Sequence, residues 1–138
     1  MNHNLTAYVQ NLTEAWNSHE VEVVLPYYSE TYEGVDIGEP GVQHGRNAVK
    51  EMLIRYWQAF PDLLFTVQNT VEEKNRIAIS WRAEGTHRGQ IMHIPPTGHK
   101  VEVRGMSVID IEDDLVVRGQ YIWDLAGMLR HMGLLPEL

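Results

Sequence analysis

Two side chains stand where proton-transfer chemistry would need them. Asp124 ends a strand-like run over residues 116–124. A carboxyl group carried into an apolar cavity has its proton affinity raised by desolvation, which suits a general acid or base near neutral pH. His87 continues an alternating run, Ile77, Ile79, Trp81, Ala83 and Gly85, whose apolar members share one face. An imidazole opposite a carboxylate is oriented by it and can exchange a proton with it. Each residue has a structural alternative. Asp124 immediately precedes a helical segment and can cap it, and a single histidine on an apolar face can be a packed, hydrogen-bonded core residue.

Other chemistries find weaker support. His87, His93 and His99 are evenly spaced, but a proline-containing loop separates them and no carboxylate stands at ligand-like spacing, so no metal is expected. An epoxide hydrolase needs an arginine between two carboxylates around a water, and Arg82 with Glu84 is the candidate pair near His87. On the polar face of their strand they read instead as a surface ion pair. His44, just before Gly45, lines the mouth of a pocket or lies in a solvated loop. Cysteine is absent, which removes thiol nucleophiles and disulfides. The chain has no phosphate-cradling glycine loop, dinucleotide fingerprint or serine elbow. A pocket without a cofactor is the reading that remains.

The elements that must position these residues follow from periodicity. Leu5, Tyr8, Val9, Leu12 and Trp16 recur at helical spacing, with Asn4 as N-cap and Asn17-Ser18 as the stop. A shorter helical stretch over 21–28 is ended or bent by Pro26. A strand over 31–37 and a loop at 38–41 come next. The clearest helix starts at Gly45 or Arg46, carries Val49, Met52, Leu53, Tyr56, Trp57 and Phe60 as an apolar stripe, and stops at Pro61. Strands are then expected over 64–72, 77–87, 101–111 and 116–124, and a short helix over 126–132 closes at Gly133. Helices with one strand, followed by long antiparallel strands, indicate a single α+β domain over 1–138, its curved sheet wrapped around helices and a cone-shaped pocket.

The last hairpin decides which residues face that pocket. A simple turn at Asp113-Asp114 pairs Val103 with Asp124, Gly105 with Ile122 and Ser107 with Gln120. Asp124, Gln120, Ile122, Ser107 and Trp81 then share the apolar face. The opposite face, pairing Arg104 with Trp123 and Met106 with Tyr121, becomes a candidate subunit interface. A bulged turn would reverse the assignment.

Composition limits the partners. The 138 residues carry a net charge of −8 with histidine neutral and no clustered basic patch, which opposes nucleic-acid binding. No stretch approaches the ~20 apolar residues that span a bilayer, and residues 1–10 lack a signal-peptide pattern. The expectation is a cytoplasmic protein with neither a membrane nor a nucleic acid as partner.

Several segments, taken in order, resemble a known family. They are Trp16-Asn17-Ser18-His19, His44-Gly45-Arg46, Phe60-Pro61-Asp62, Gly85-Thr86-His87-Arg88-Gly89, Pro95-Pro96-Thr97-Gly98-His99, and Asp124 before Gly127-Met128-Leu129. The chain is similar to the SnoaL-like polyketide cyclases, within the nuclear-transport-factor-2-like superfamily that also holds ketosteroid isomerases and limonene epoxide hydrolases. The resemblance implies a dimer or tetramer, no cofactor, and a pocket for an apolar or poly-keto molecule. It also implies cofactor-independent acid/base catalysis of an intramolecular aldol ring closure, with Asp124 as the acid/base and His87 on a substrate carbonyl or on Asp124. A non-catalytic carrier of an apolar molecule is the alternative within the same fold. Where many relatives carry an acidic residue and a tryptophan, this chain has Arg118 and Gln120, and a more polar pocket wall is expected.

Overall fold

Leu5, Val9, Leu12 and Ala15 are buried along one face of α1 (Leu5–Asn17). The helix starts where the Asn4 side chain accepts the Ala7 N–H at 2.9 Å. The computed structural model describes residues 4–138. After α1 come a one-turn helix, α2 (Val21–Val24), and a 3₁₀ turn, Leu25–Tyr27. The expected second helix is thus broken where Pro26 removes a backbone donor. Strand β1 (Tyr28–Asp36) begins three residues earlier than expected, and a short β2 (Val42–His44), absent from the sequence reading, pairs back on it. Helix α3 (Gly45–Ala59) buries Val49, Met52 and Leu53.

The remaining strands are β3 (Leu64–Glu73), β4 (Arg76–Thr86), β5 (Lys100–Glu112) and β6 (Leu115–Trp123), closed by α4 (Leu125–His131). They form one six-stranded sheet in the order β2-β1-β6-β5-β4-β3. Every neighbouring pair is antiparallel except β1 with β6, which is parallel. Helix α1 lies against β3, α3 against β1 and α4 against β5, so the helices line the concave side. The architecture is the expected α+β cone.

The turn at Asp113-Asp114 is a two-residue turn with both φ values positive, 52° and 61°. It pairs Glu112 with Leu115 and Ile111 with Val116, as a simple hairpin should. The ladder then shifts. Asp110 pairs with Arg118, which leaves Val117 as an extra residue on β6. Beyond this bulge every β6 side chain changes face relative to the sequence reading. Ser107 stands opposite Tyr121 instead of Gln120, and Gly105 opposite Trp123 instead of Ile122. A row of charge marks the shift. Asp110 is buried, receives Arg76 Nε on Oδ1 at 2.7 Å and Arg118 Nε on Oδ2 at 2.9 Å, and thereby ties β4, β5 and β6 together.

Candidate functional site

Between the helices and the concave sheet face lies a cavity of about 160 Å³. Its walls are mainly aromatic and aliphatic: Trp16 from α1, Phe60 after α3, Phe65 from β3, Trp81 from β4, and Tyr121 and Trp123 from β6. Ile91, buried in the loop between β4 and β5, also reaches the wall, and the loop is folded back on itself through the Ile91–Ile94 bridge. Polar groups are few: Thr13 from α1, Tyr56 from α3, Glu84 from β4, and Tyr28, Asp36, Ser107 and Tyr121 from β1, β5 and β6.

Asp36 is the principal one. It ends β1 in phase with the buried Tyr32 and Gly34, and it lines the cavity. Oδ1 accepts the Gly38 N–H at 2.7 Å, the Trp123 indole N–H at 2.9 Å and the Tyr56 hydroxyl at 3.4 Å. No donor reaches Oδ2 among the described residues. Burial raises the proton affinity of this carboxyl above the ordinary range, and the three donors on Oδ1 offset only part of that rise. A buried carboxyl anchored through one oxygen, with no donor on the other, in the wall of a mainly apolar cavity, is arranged to take or give a proton.

Three of the cavity's hydroxyl residues, all on the sheet, accept or share hydrogen bonds with neighbouring side chains. The Trp16 indole donates to the Tyr28 hydroxyl at 3.1 Å, the Tyr32 hydroxyl to that of Tyr121 at 2.9 Å, and the Trp81 indole to Ser107 Oγ at 2.8 Å. Tyr28, Tyr121 and Ser107 all line the cavity. Burial raises the proton affinity of the Tyr28, Tyr32 and Tyr121 phenolates, so each hydroxyl keeps its proton across the physiological range.

Several residues chosen from sequence stand elsewhere. Asp124 is exposed and caps α4, accepting the Gly127 N–H on Oδ1 at 2.8 Å. Gln120 and Ile122 point outward, Ile122 with 68% of its surface exposed, because the bulge at Val117 turned their face away from the cavity. Trp81 and Ser107 do line the cavity. His44 is exposed on β2, 3.8 Å from Glu33. The expected cross-strand partners Arg104 and Met106 lie exposed on the outer face, while Trp123 and Tyr121 line the cavity.

His87 is fully buried but not part of the cavity wall. Its Nδ1 accepts the Thr97 N–H at 3.1 Å and contacts the Thr97 hydroxyl at 3.0 Å, and its ring tilts against Phe60. Burial pushes its proton affinity down. The structure does not bring it to Asp124. Arg82 lies 3.9 Å from Glu102 across the neighbouring strand, outside the cavity, so the arginine an epoxide hydrolase would need is missing from the wall. No group of three or more His, Cys, Asp or Glu side chains converges to hold a metal among the described residues. Nor is any described helix long and apolar enough to cross a membrane.

Asp36 and the tyrosines escaped the sequence reading for a definable reason. Val35 and Ile37, on either side of Asp36, are 52% and 48% exposed. Here the apolar residues of the strand face outward and the carboxylate inward, the inverse of the usual alternation. The available signal was phase: Tyr32, Gly34 and Asp36 alternate with these two.

The family model for SnoaL-like polyketide cyclases matches residues 6–132. Among solved structures, IdmH of Streptomyces antibioticus, a candidate polyketide cyclase, superposes with TM-score 0.82 at 26% identity, covering 95% of this chain and 99% of that one. AclR of Streptomyces galilaeus, a candidate hydroxylase, gives TM-score 0.83 at 23% identity over 96% of this chain and 83% of that one. A protein of Catenulispora acidiphila with a ketosteroid isomerase-like fold, bound to trimethylamine, gives 0.80 at 14% identity over 93% of each chain. No curated protein matches the sequence.

Proposed function

The chain belongs to the SnoaL-like polyketide cyclase family, and from that premise we propose that it enolises a small neutral ketone and closes it by intramolecular aldol addition, with Asp36 as the proton-transfer group. The observation that carries this is the environment of Asp36, a buried carboxyl in the wall of an apolar cavity, held through Oδ1 and with no donor on Oδ2 among the described residues. In the proposed step Oδ2 takes a proton from the carbon next to a substrate carbonyl. The C–H electron pair moves into a carbon–carbon double bond, and the carbonyl oxygen becomes an enolate oxygen. The enolate carbon then attacks a second carbonyl of the same molecule, and Asp36 returns its proton to the new alkoxide. Such general-base assistance is worth roughly 10²–10⁴-fold.

The walls add two constraints. An apolar cavity of about 150 Å³ accommodates a benzene ring, so the roughly 160 Å³ here fits a one-ring product. No lysine or arginine lines the wall, and Asp36 and Glu84 are its acidic members. A carboxylate or phosphate ligand would therefore enter against charge, and a neutral ligand is favoured.

The experiment offers the protein a short-chain diketone that closes to a six-membered cyclic hydroxyketone and follows loss of the diketone and formation of that product by proton NMR. Turnover above the buffer rate that is lost in Asp36→Asn, with folding retained, is the expected result. Binding of the diketone with no deuterium uptake from D₂O would identify a carrier instead, and turnover that survives Asp36→Asn would rule out the assigned base.

A further inference from the structure

Glu39 carries a buried charge that the proposed chemistry does not use. It lies in the loop over residues 38–41, where a glutamate is ordinarily solvated, yet only 6% of its side chain is exposed. Its carboxylate is paired with the guanidinium of Arg55 on α3, whose own side chain is 48% exposed. A nearly buried carboxylate that loses its cation is left uncompensated, so this pair fixes the loop to the helix.

Asp36 stands at the start of the same loop. Its Oδ1 accepts the Gly38 N–H at 2.7 Å, and its backbone carbonyl accepts the Glu39 N–H at 3.0 Å. Residues 36–39 thus form one tight turn, with the cavity carboxyl at one end and the ion pair at the other. Helix α3 holds both ends through consecutive residues: the Tyr56 hydroxyl donates to Asp36 Oδ1 at 3.4 Å, and Arg55 donates to Glu39. The middle of the turn is closely packed. A Cβ at Gly38 would stand 2.6 Å from the Tyr56 hydroxyl, 2.7 Å from the Trp123 indole and 3.2 Å from the Met92 methyl. Little slack remains in such packing, so a displacement at Glu39 carries to the Gly38 N–H and to Asp36.

We infer that Arg55 is a positioning residue: acting through Glu39, it clips the 36–39 turn to α3 and so holds the Asp36 carboxyl in the cavity wall. Its catalytic meaning rests on Asp36 as the enolising base, yet the clip can be measured on Asp36 without turnover. When the clip is lost the turn opens and water reaches the carboxyl. Burial is the largest influence on its proton affinity, and the Gly38 N–H is a smaller, opposing one, so opening lowers that affinity on balance. The titratable groups nearest Asp36 are Tyr32 of its own strand, Tyr56 of α3 and Tyr121 of β6, and burial keeps all three protonated while it titrates.

The test is a pH titration of the Asp36 carboxyl by carbon-13 NMR, assigned with Asp36→Asn, in Arg55→Gln and in Glu39→Gln. Charge alone predicts opposite shifts, because losing the cation raises the proton affinity of Asp36 and losing the anion lowers it. The clip predicts a downward shift in both variants. Hydrogen exchange at the Gly38 amide should quicken about tenfold or more in both, while amides of the β4–β5 ladder exchange as in the wild type. Arg55→Lys keeps the charge and should return both readings most of the way. Shifts of opposite sign, or no shift, would overturn the inference. So would faster exchange spread equally over the β4–β5 ladder, which would mean a general loss of stability. A protein that meets these expectations but never closes a diketone keeps the clip and loses only the ring-closure reading.

Discussion

The Trp123 indole N–H reaches Asp36 Oδ1 at 2.9 Å, while Asp124, the next residue in the chain, turns its carboxyl outward onto the Gly127 N–H. Two carboxylates flank one tryptophan in space, and one of them sees the cavity.

Substitution should separate them. Asp36→Asn keeps the shape and most of the Oδ1 contacts, and is expected to lower turnover by about 10²–10⁴-fold without loss of folding. Asp124→Ala removes a helix cap and should cost about 1 kcal/mol of stability while turnover stays within a few-fold. Rates measured beside thermal melts for the two variants decide it. A larger rate loss in the Asp124 variant would return the acid/base role to the chain position the family resemblance suggested.

Asp36 also makes a pH prediction of definite sign. Burial raises its folded-state pKa above the ordinary value of 3.8. Its contribution to stability is therefore fully present below that value and is lost as pH rises through the raised one. Asp36→Asn, which cannot ionise, should melt progressively higher than the wild type as pH climbs through the weakly acidic range. A melting-temperature difference between the two that stays constant with pH would contradict the burial account.

How much of this was legible in the sequence depends on what the pattern could encode. The long amphipathic helices, the late strands and the turn at Asp113-Asp114 follow from local periodicity and turn chemistry, and they formed near their expected bounds. The face of β6 was not local information. It is set by the extra residue Val117, and nothing in Leu115–Trp123 itself distinguishes a bulged ladder from a regular one. The buried Asp36 was hidden for a different reason, because exposed Val35 and Ile37 invert the alternation that identifies an inner face. Short strands such as β2 depend on pairing and not on propensity, so its three residues left no pattern to read.

The charge row that accompanies the bulge should itself be measurable. Arg76 and Arg118 hold the Asp110 carboxyl below the usual carboxylate range, Arg76 through the leading hydrogen bond. A depressed folded-state pKa contributes stability that is present above the unfolded value of 3.8 and lost as pH falls through the folded one. Asp110→Asn should therefore lower the urea midpoint at neutral pH, and its deficit should shrink on acidification below about pH 4. Because both arginine side chains are more than half exposed, added salt should also narrow the gap. A deficit independent of pH and salt would mean that Asp110 acts by packing.

Gly105 gives a prediction about pocket shape. A Cβ at this position would collide with the Trp81 indole, which lies over it. Gly105→Ala must then displace the indole, disturbing its bond to Ser107 and its edge-to-face contact with Phe65 at 5.4 Å. Overpacking of this kind costs about 1–3 kcal/mol. Loss of a ring-sized ligand's affinity beyond what the melt explains would confirm Trp81 as a wall of the site, and unchanged affinity would argue against it.

His87 links pH to the loop that carries Ile91 into the cavity wall. Its Nδ1 accepts the Thr97 N–H, and the backbone around it is tied both ways, His87 N–H to His99 O at 2.9 Å and Gly98 N–H to His87 O at 2.8 Å. Protonation would put a hydrogen on Nδ1, expel the Thr97 N–H from its acceptor and place a charge in a buried site. Burial accordingly lowers the folded-state pKa below 6.5, with neighbouring His99 acting in the same direction. Between the lowered value and 6.5 the unfolded chain binds a proton that the folded chain refuses, so stability rises with pH across that window and is level above it. Wild type and His87→Gln should thus differ most in pH slope. From about pH 7.5 to about pH 5 the wild type should lose melting temperature faster, and proteolysis within residues 88–99 should quicken in parallel. Parallel melting curves for the two proteins over that range would show that His87 does not titrate against the loop, and its burial would then be a matter of packing against Phe60 alone.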